Sequence, residues 1–542
     1  MTEVSADRLM AHCREFARRI KLSGTPEELE SFHYLQAQLD QYGYKTTLLS
    51  HDAYISLPGP ARLDIDGASP ACITHSMSRP APNGIAGELV YVADASPAAL
   101  AHRDLANRIW LVDGIATPDV AARARDAGAL GEIHISPTEH RYEMCVSPVW
   151  GSPSQHTLAE LPTTAIVTIS RDDGAALRER CRRNEPVTAR LWTEIDTGWR
   201  KTPLLVADMN TDGDTPFVLF SGHHDTWHYG VMDNGGANAT MLEAAHILAA
   251  ERPAWRRGLR LCFWSGHSHG RYSGSAWYAD EYWDELERRC VAHVNVDSTG
   301  GEGATELGKS AVIAELKALA ADAVQAVTGQ PHEGLRQGRN SDQSFWGIGI
   351  PSMFGSISQQ PADPATKLRN ALGWWWHTPH DLLDRIDPDF LVRDTEIVLV
   401  ALRRLLESEI LPFDYTATAD AFSAELATIQ TDLDLTSLIT AAQTLRASAQ
   451  SLRDTSAPAH TINAALMRAG RALVPLNHTT GDRFRHDPAL PLSPFPPLDP
   501  IRDLARLPPD SPDRLFFTVA ARQARNRVAH ALRLATEALT LQ

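Results

Sequence analysis

Pro216-Phe217-Val218-Leu219-Phe220-Ser221-Gly222-His223-His224-Asp225 decides the fold: a short apolar run stops at residues able to bind a metal. Two further stretches repeat the pattern. Gly258-Leu259-Arg260-Leu261-Cys262-Phe263-Trp264 runs into Gly266-His267-Ser268-His269-Gly270, and Val291-Ala292-His293-Val294-Asn295-Val296 runs into Asp297. Runs of this length, rich in β-branched and aromatic residues, predict buried strands. Strands alternate with helical stretches from 201 to about 410, which predicts a doubly wound α/β domain. In such domains the ligand site lies beyond the carboxyl ends of the strands. Imidazoles and carboxylates gathered there point to a divalent metal and metal-assisted hydrolysis.

The flanking texture differs. Residues 6–44 carry apolar positions at helical spacing, Leu9, Cys13, Phe16 and Ile20 among them. From 53 to 193 short apolar strands alternate with Pro/Gly/Asp turns, and one alanine-rich helix near 120–127 ends at Gly128, so a separate β-rich module is expected there. Beyond Asp414 the strand pattern gives way to Ala/Leu-rich helices. The proline-rich stretch 488–512 is expected to be an extended tether, and a last helix carries Phe517, Ala521, Ala524, Val528 and Leu539 on one face. The boundaries follow: a catalytic domain over 1–52 and 194–412, an inserted module over 53–193 and a helical domain over 413–542.

The 542 residues exceed one core, and a 43% hydrophobic, 22% charged composition is that of an ordinary globular protein. The net charge of −16 argues against a nucleic-acid partner. Six scattered cysteines without a CxxC pair fit a reducing compartment. The first residues show no signal-peptide pattern and no run is long enough to span a membrane, so a cytoplasmic protein is expected.

The candidate metal ligands are His223, Asp233, Asp297 and His377, with His267-Ser268-His269 as a further ligand segment. Asp225, two residues past His223, is expected to accept a hydrogen bond from that imidazole and fix its tautomer. Asp233 lies in a glycine-rich loop before a helix, where its carboxylate can bridge two cations. Arg339, Asn340, Arg271 and Arg369 flank the motifs as candidate binders of a substrate carboxylate, and Trp374-Trp375-Trp376 as a pocket wall. His224, His228, His293 and His380 read as structural.

Taken in order, these motifs resemble the co-catalytic zinc aminopeptidase and carboxypeptidase family, in layout its glutamate carboxypeptidase and transferrin-receptor branch. Gly222-His223-His224-Asp225-Thr226-Trp227 is similar to the family's His-x-Asp motif, and Asp233 stands where the metal-bridging Asp is found. Asn295-Val296-Asp297-Ser298 is similar to the next ligand segment. Ser341-Asp342-Gln343-Ser344-Phe345 is similar to the segment before the last ligand, and Trp376-His377-Thr378 to the final histidine motif, with Trp376 in place of the usual Tyr. The resemblance implies an aminopeptidase-like fold with a protease-associated (apical) module at 53–193 and a helical dimerisation domain at 413–542. It further implies a homodimer, a peptide or small amide substrate, and one or two divalent ions, zinc first, with manganese or iron as alternatives.

One departure matters. The family has two adjacent glutamates, a general base and a ligand to the second metal, ahead of a Gly-Ser helix start matched here by Gly274-Ser275. This chain has His267-Ser268-His269. Counting back without a gap puts Ser268 at the base position and His269 at the ligand position; a one-residue insertion shifts these to His267 and Ser268. Three outcomes follow, ranked in this order. His269 replaces the ligand and His267 serves as base, since an imidazole titrates near neutral pH. The second metal is lost. Or catalysis is gone, leaving a receptor-like binding dimer with a remnant site. An enzyme of another reaction type, acting on a non-peptide amide, is a further reading.

Overall fold

A computed structural model describes residues 3–362 and 372–541. Arg369 lies outside the described residues. The strands are β1 (Lys45–Ile65), β2 (Cys72–Thr74), β3 (Ile85–Tyr91), β4 (Ile109–Asp113), β5 (Gly131–Ile135), β6 (Ala165–Ile169), β7 (Thr188–Met209), β8 (Phe217–His223), β9 (Gly258–Trp264), β10 (Cys290–Val296) and β11 (Ser352–Gly355). All join one sheet in the order β11-β10-β8-β9-β7-β3-β4-β5-β6-β2, with β1 paired to β7. β8, β9 and β10 are the three apolar runs quoted above. They lie parallel and are buried at every position, because helices cover both faces of a parallel sheet.

β1 and β7 form the spine. They pair antiparallel from Lys45↔Asp208 to Ile65↔Ala189. One end of β7 joins β9 through Leu205–Met209 and the other joins β3 through Thr188–Leu191. The expected boundaries at 53 and 193 therefore fall inside two continuous strands rather than in linkers. Between them, β3 to β6 run parallel and alternate with helices Pro97–Leu100, Pro118–Asp126 and Arg171–Arg182. The inserted segment is thus α/β rather than β-rich. It has its own core of Leu63, Leu89, Ile109, Ile133, Val167 and Leu191.

The C-terminal helices Tyr415–Ala427, Thr436–Arg453, Ala459–His478, Asp499–Arg506 and Arg514–Leu539 share one continuous apolar core with the catalytic domain. Arg471 anchors them, donating to the carbonyls of Gly349 (2.8 Å) and Cys290 (2.6 Å). The proline-rich stretch is not a plain tether, since it holds the helix Asp499–Arg506. Pro500 sits in that helix's first turn, where a missing N–H breaks no intrahelical bond. Among the described residues no helix is long and apolar enough to cross a membrane.

Glu315 ties this junction together, accepting from Thr418 Oγ1 at 3.0 Å while fully buried. Burial pushes its carboxyl from an ordinary 4.5 up to about 7. The folded protein then holds a proton that the unfolded chain has lost, so this residue's stability contribution falls as pH rises from ~4.5 to ~7. Glu315→Gln is expected to stabilise the fold at pH 8.5 by on the order of 3 kcal/mol, read as a raised Tm, and to change Tm little at pH 4.5. Thermal unfolding at the two pH values checks this.

Candidate functional site

The strand ends meet as the apolar runs predicted. His223 is the last residue of β8, and Gly222 before it lets that strand close on β10: a Cβ there would stand 2.7 Å from the Val296 carbonyl. Asp297 follows β10 directly, its N–H held by the Gly355 carbonyl at 3.1 Å. Asp233 lies in the turn Val231–Gly236 ahead of the helix Ala237–Glu251. Asp381 fixes that turn by accepting from the N–H groups of Met232 (2.8 Å) and Asp233 (3.0 Å). His377 adopts a left-handed backbone (φ 57°) and stacks on Trp376 with ring centres 3.5 Å apart.

Both histidines face carboxylates through Nε2, and the Nε2 of His377 also accepts from Trp227 Nε1 at 3.1 Å. His223 Nδ1 donates to the Asp225 carbonyl (2.9 Å), so Nε2 carries a lone pair; it lies 3.1 Å from Asp233 Oδ1 and 3.6 Å from Asp297 Oδ1. His377 Nδ1 donates to the Glu143 carbonyl (2.6 Å), and its Nε2 lies 3.0 Å from Asp233 Oδ2. Contacts at such distances are held by a shared proton or by a cation. Burial works against a charged His223, yet the hydrogen bonds and charges of Asp233 and Asp297 hold its pKa well above the ordinary value. Burial likewise opposes a charged Asp233, but the two histidines hold it well below the carboxylate range. The donor types suit a divalent ion: Asp233 presents one oxygen to each histidine, and Asp297 faces His223.

The His-Ser-His segment differs from the gap-free count. The segment is followed by a turn at Arg271 and Tyr272, which have left-handed φ of 49° and 69°. His267 and Ser268 line the cavity, and His269 does not. His269, expected as a ligand, is fully buried with Nδ1 2.9 Å from Ser23 Oγ and its ring against Trp227. Burial lowers its pKa to about 4. Its carbonyl accepts from the Ser56 N–H (2.9 Å) and from Ser76 Oγ (3.3 Å), so the residue faces the inserted segment.

His267 takes the place over the ligands. Ligand atoms of His223, His267 and Asp297 lie within 4.8 Å of one another. The His267 ring nonetheless stacks on His223, centres 3.7 Å apart and planes inclined by 15°. An imidazole donates its lone pair in the ring plane, at about 2.0–2.1 Å from a zinc ion. Planes so nearly parallel share no point that close to both nitrogens, so His267 would stand beside an ion held by His223 rather than bind it. Ser268 Oγ is buried in the cavity wall and has no hydrogen-bond partner among the described residues.

Asp225 corrects a second expectation. Its backbone carbonyl, not its carboxylate, holds the His223 tautomer. The carboxylate accepts instead from the N–H groups of His267 (3.2 Å) and Ser268 (2.9 Å) and from Ser23 Oγ (2.6 Å). It shapes the catalytic loop.

The cavity holds about 490 Å³, and the inserted segment supplies part of its wall through Thr117, Pro118, Met144 and Cys145. Asn340 and Trp376 line it as expected, whereas Arg339 does not. The Arg339 guanidinium lies over the Trp150 ring at 3.8 Å and donates to the carbonyls of Asp487 (2.6 Å) and Gln343 (3.2 Å), so it braces the C-terminal segment. Trp375 is core, and Trp374 packs on His140. Lys309 lines the cavity without any motif to announce it.

Residues 205–402 match the model of peptidase family M28. A probable glutamate carboxypeptidase of Zea mays, VP8, is 25% identical over 229 residues, 39% of this chain and 32% of that protein. Aminopeptidase YwaD of Bacillus subtilis is 26% identical over 206 residues, 35% of this chain and 42% of that protein. The chain thus spans about a third to two fifths of the length of these curated relatives. Among solved structures, the aminopeptidase of Aneurinibacillus sp. strain AM-1 superposes with a TM-score of 0.58 at 23% identity, covering 75% of this chain and 95% of that one. The zinc aminopeptidase BSAP of Bacillus subtilis gives 0.57 at 19%, covering 76% and 97%. Both share the fold. The segment that carries the ligand loops at the strand ends, residues 205–402, is thus the part of the chain that matches peptidase family M28.

Proposed function

We propose that this chain is a metal-dependent hydrolase that cleaves an amide or peptide bond, with a histidine where its relatives' base is a carboxylate. The carrying observation is the convergence of His223 Nε2 and His377 Nε2 on the two oxygens of Asp233 at 3.1 and 3.0 Å, with Asp297 Oδ1 3.6 Å from His223 Nε2. His223, Asp233 and Asp297 would hold one divalent ion, and Asp233 with His377 would offer a position for a second. Such an ion supplies Lewis-acid polarisation of a carbonyl and a lowered pKa for water. The protein's own part is proton transfer: His267 Nε2 accepts a proton from the attacking water and returns it to the amine nitrogen as the C–N bond breaks. Arg271 and Lys309 on the cavity wall favour a substrate bearing a carboxylate. Trp376 has no phenol to offer an oxyanion.

Residues 53–193 act as a protease-associated (apical) module, which their contribution to the cavity wall supports. The chain pairs with a second copy through its last helix, where Leu515, Phe516 and Val519 are 79%, 75% and 54% exposed. Six free cysteines fit a reducing, cytoplasmic setting.

Two classes of metal site are expected. The first position has three protein ligands. The second has two, so it should bind at least ~10-fold more weakly. Zinc titration of the metal-stripped full chain, followed by elemental analysis, measures both. The same preparations, with and without zinc, manganese or iron, are then assayed on a panel of dipeptides and N-acyl amino acids. Metal-dependent release of the amine supports the hydrolase. Failure to retain any metal sinks it and favours a binding dimer.

A further inference from the structure

We propose that Asp342 is a positioning residue that holds His267 as its Nδ1–H tautomer, so that an Asp–His pair stands in for a carboxylate base. The inference rests on the hydrolase reading for its kinetic consequence, but its structural content stands alone. Asp342 Oδ2 lies 2.7 Å from His267 Nδ1. Its other oxygen accepts from Ser275 Oγ at 2.8 Å, and the carboxylate is 1% exposed. No Arg or Lys pairs with this carboxylate among the described residues; an imidazole and a hydroxyl are its partners.

A buried carboxylate accepts but does not donate, so the proton of a neutral His267 sits on Nδ1 and the lone pair on Nε2. That nitrogen is the one left for the cavity. Without Asp342 the two tautomers compete, and the tautomer with hydrogen on Nε2 can take no proton there. The carboxylate also stabilises the imidazolium formed when Nε2 accepts a proton from water. Asp342 and the preceding Ser341 have left-handed φ of 57° and 48°, unusual for residues other than glycine. Ser341 Oγ meanwhile donates to Asp297 Oδ2 at 3.1 Å, so one bend positions the base and a metal ligand together. The hold extends through Ser275 Oγ to Ser344 Oγ (2.9 Å) and on to Trp150 Nε1 of the inserted segment (2.9 Å).

The test is the tautomer itself. Full-length protein carrying 15N-labelled histidine, zinc-loaded and metal-stripped, is examined by two-bond 1H–15N correlation, with His267 assigned by its absence in His267→Gln. The Nδ1–H tautomer is expected in wild type, with a shift toward the Nε2–H form in Asp342→Asn. Ser275→Ala, which removes the hydroxyl holding the other oxygen, keeps the question open to measurement if Asp342→Asn fails to fold, and a partial shift is expected from it. In turnover, Asp342→Asn should lower kcat by about 10–100-fold with KM and metal content unchanged, Asp342→Glu should restore part of it, and Asp342→Asn should add nothing in the His267→Gln background. An Nε2–H tautomer in wild type, a tautomer indifferent to both substitutions, or additive losses in the double variant would overturn the assignment. Absence of any turnover would count against the hydrolase while the tautomer result still decides the pairing.

Discussion

Replacing His267 by glutamine is expected to lower turnover by about 10²–10⁴-fold while leaving the bound metal in place. The argument is geometric. The near-parallel stack on His223 keeps His267 Nε2 out of that ligand's ion, so removing it takes away a proton acceptor and not a coordinate bond. Glutamine keeps a polar side chain of similar reach but accepts no proton near neutral pH. Kinetics and elemental analysis on the same preparation check both halves. Loss of metal together with loss of turnover would make His267 a ligand, and unchanged turnover would remove it from the chemistry. His267→Glu sharpens the test, because it restores the family's residue type at a position built for an imidazole. Its carboxylate would face that of Asp342 across the space of a 2.7 Å hydrogen bond, and two buried like charges so close repel. His267→Glu combined with Asp342→Asn should therefore recover more activity than His267→Glu alone.

The reach of the sequence follows from how each feature is encoded. Buried parallel strands are apolar at every position, so β8, β9 and β10 and the ligands at their ends stand out in the bare text. The joint at 53 and 193 leaves no such mark. β1 and β7 change neighbours partway along without breaking, and a strand that switches partners looks like one that does not. The loop after β9 turns at Arg271 and Tyr272, two left-handed residues that no local pattern predicts, so counting along the sequence could not tell that His267 lines the cavity and His269 does not. Contacts between distant positions were out of reach for a simpler reason. Ser23 meets His269 across 246 residues and Asp342 meets His267 across 75, and no local pattern ties either pair. Arg339 misled because a guanidinium beside a motif suits an anion and a row of main-chain carbonyls equally well.

Asp225→Ala is expected to lower turnover about 100-fold or more and to cost about 3 kcal/mol of stability, yet to leave metal binding at His223 intact. The division follows from which atoms of Asp225 do what. His223 Nδ1 donates to the main-chain carbonyl, which alanine keeps, so the imidazole stays oriented toward Asp233 and Asp297. The carboxylate is lost, and with it the acceptor for the N–H groups of His267 and Ser268 and for Ser23 Oγ, all in a fully buried pocket. Donors left unsatisfied there cost about 1–3 kcal/mol each, offset in part by water entering the space. The loop from Gly266 to His269 loses the anchor that aims His267, and a misplacement of ~1 Å in a proton acceptor is worth about 10² in rate. Had the carboxylate served as the tautomer-fixing partner of His223, as the spacing first implied, the same substitution would release the metal as well. Zinc affinity and kcat measured on Asp225→Ala therefore separate the two roles: an unchanged zinc Kd with depressed kcat assigns the carboxylate to the loop, and a zinc Kd weakened 10-fold or more returns it to the metal ligand.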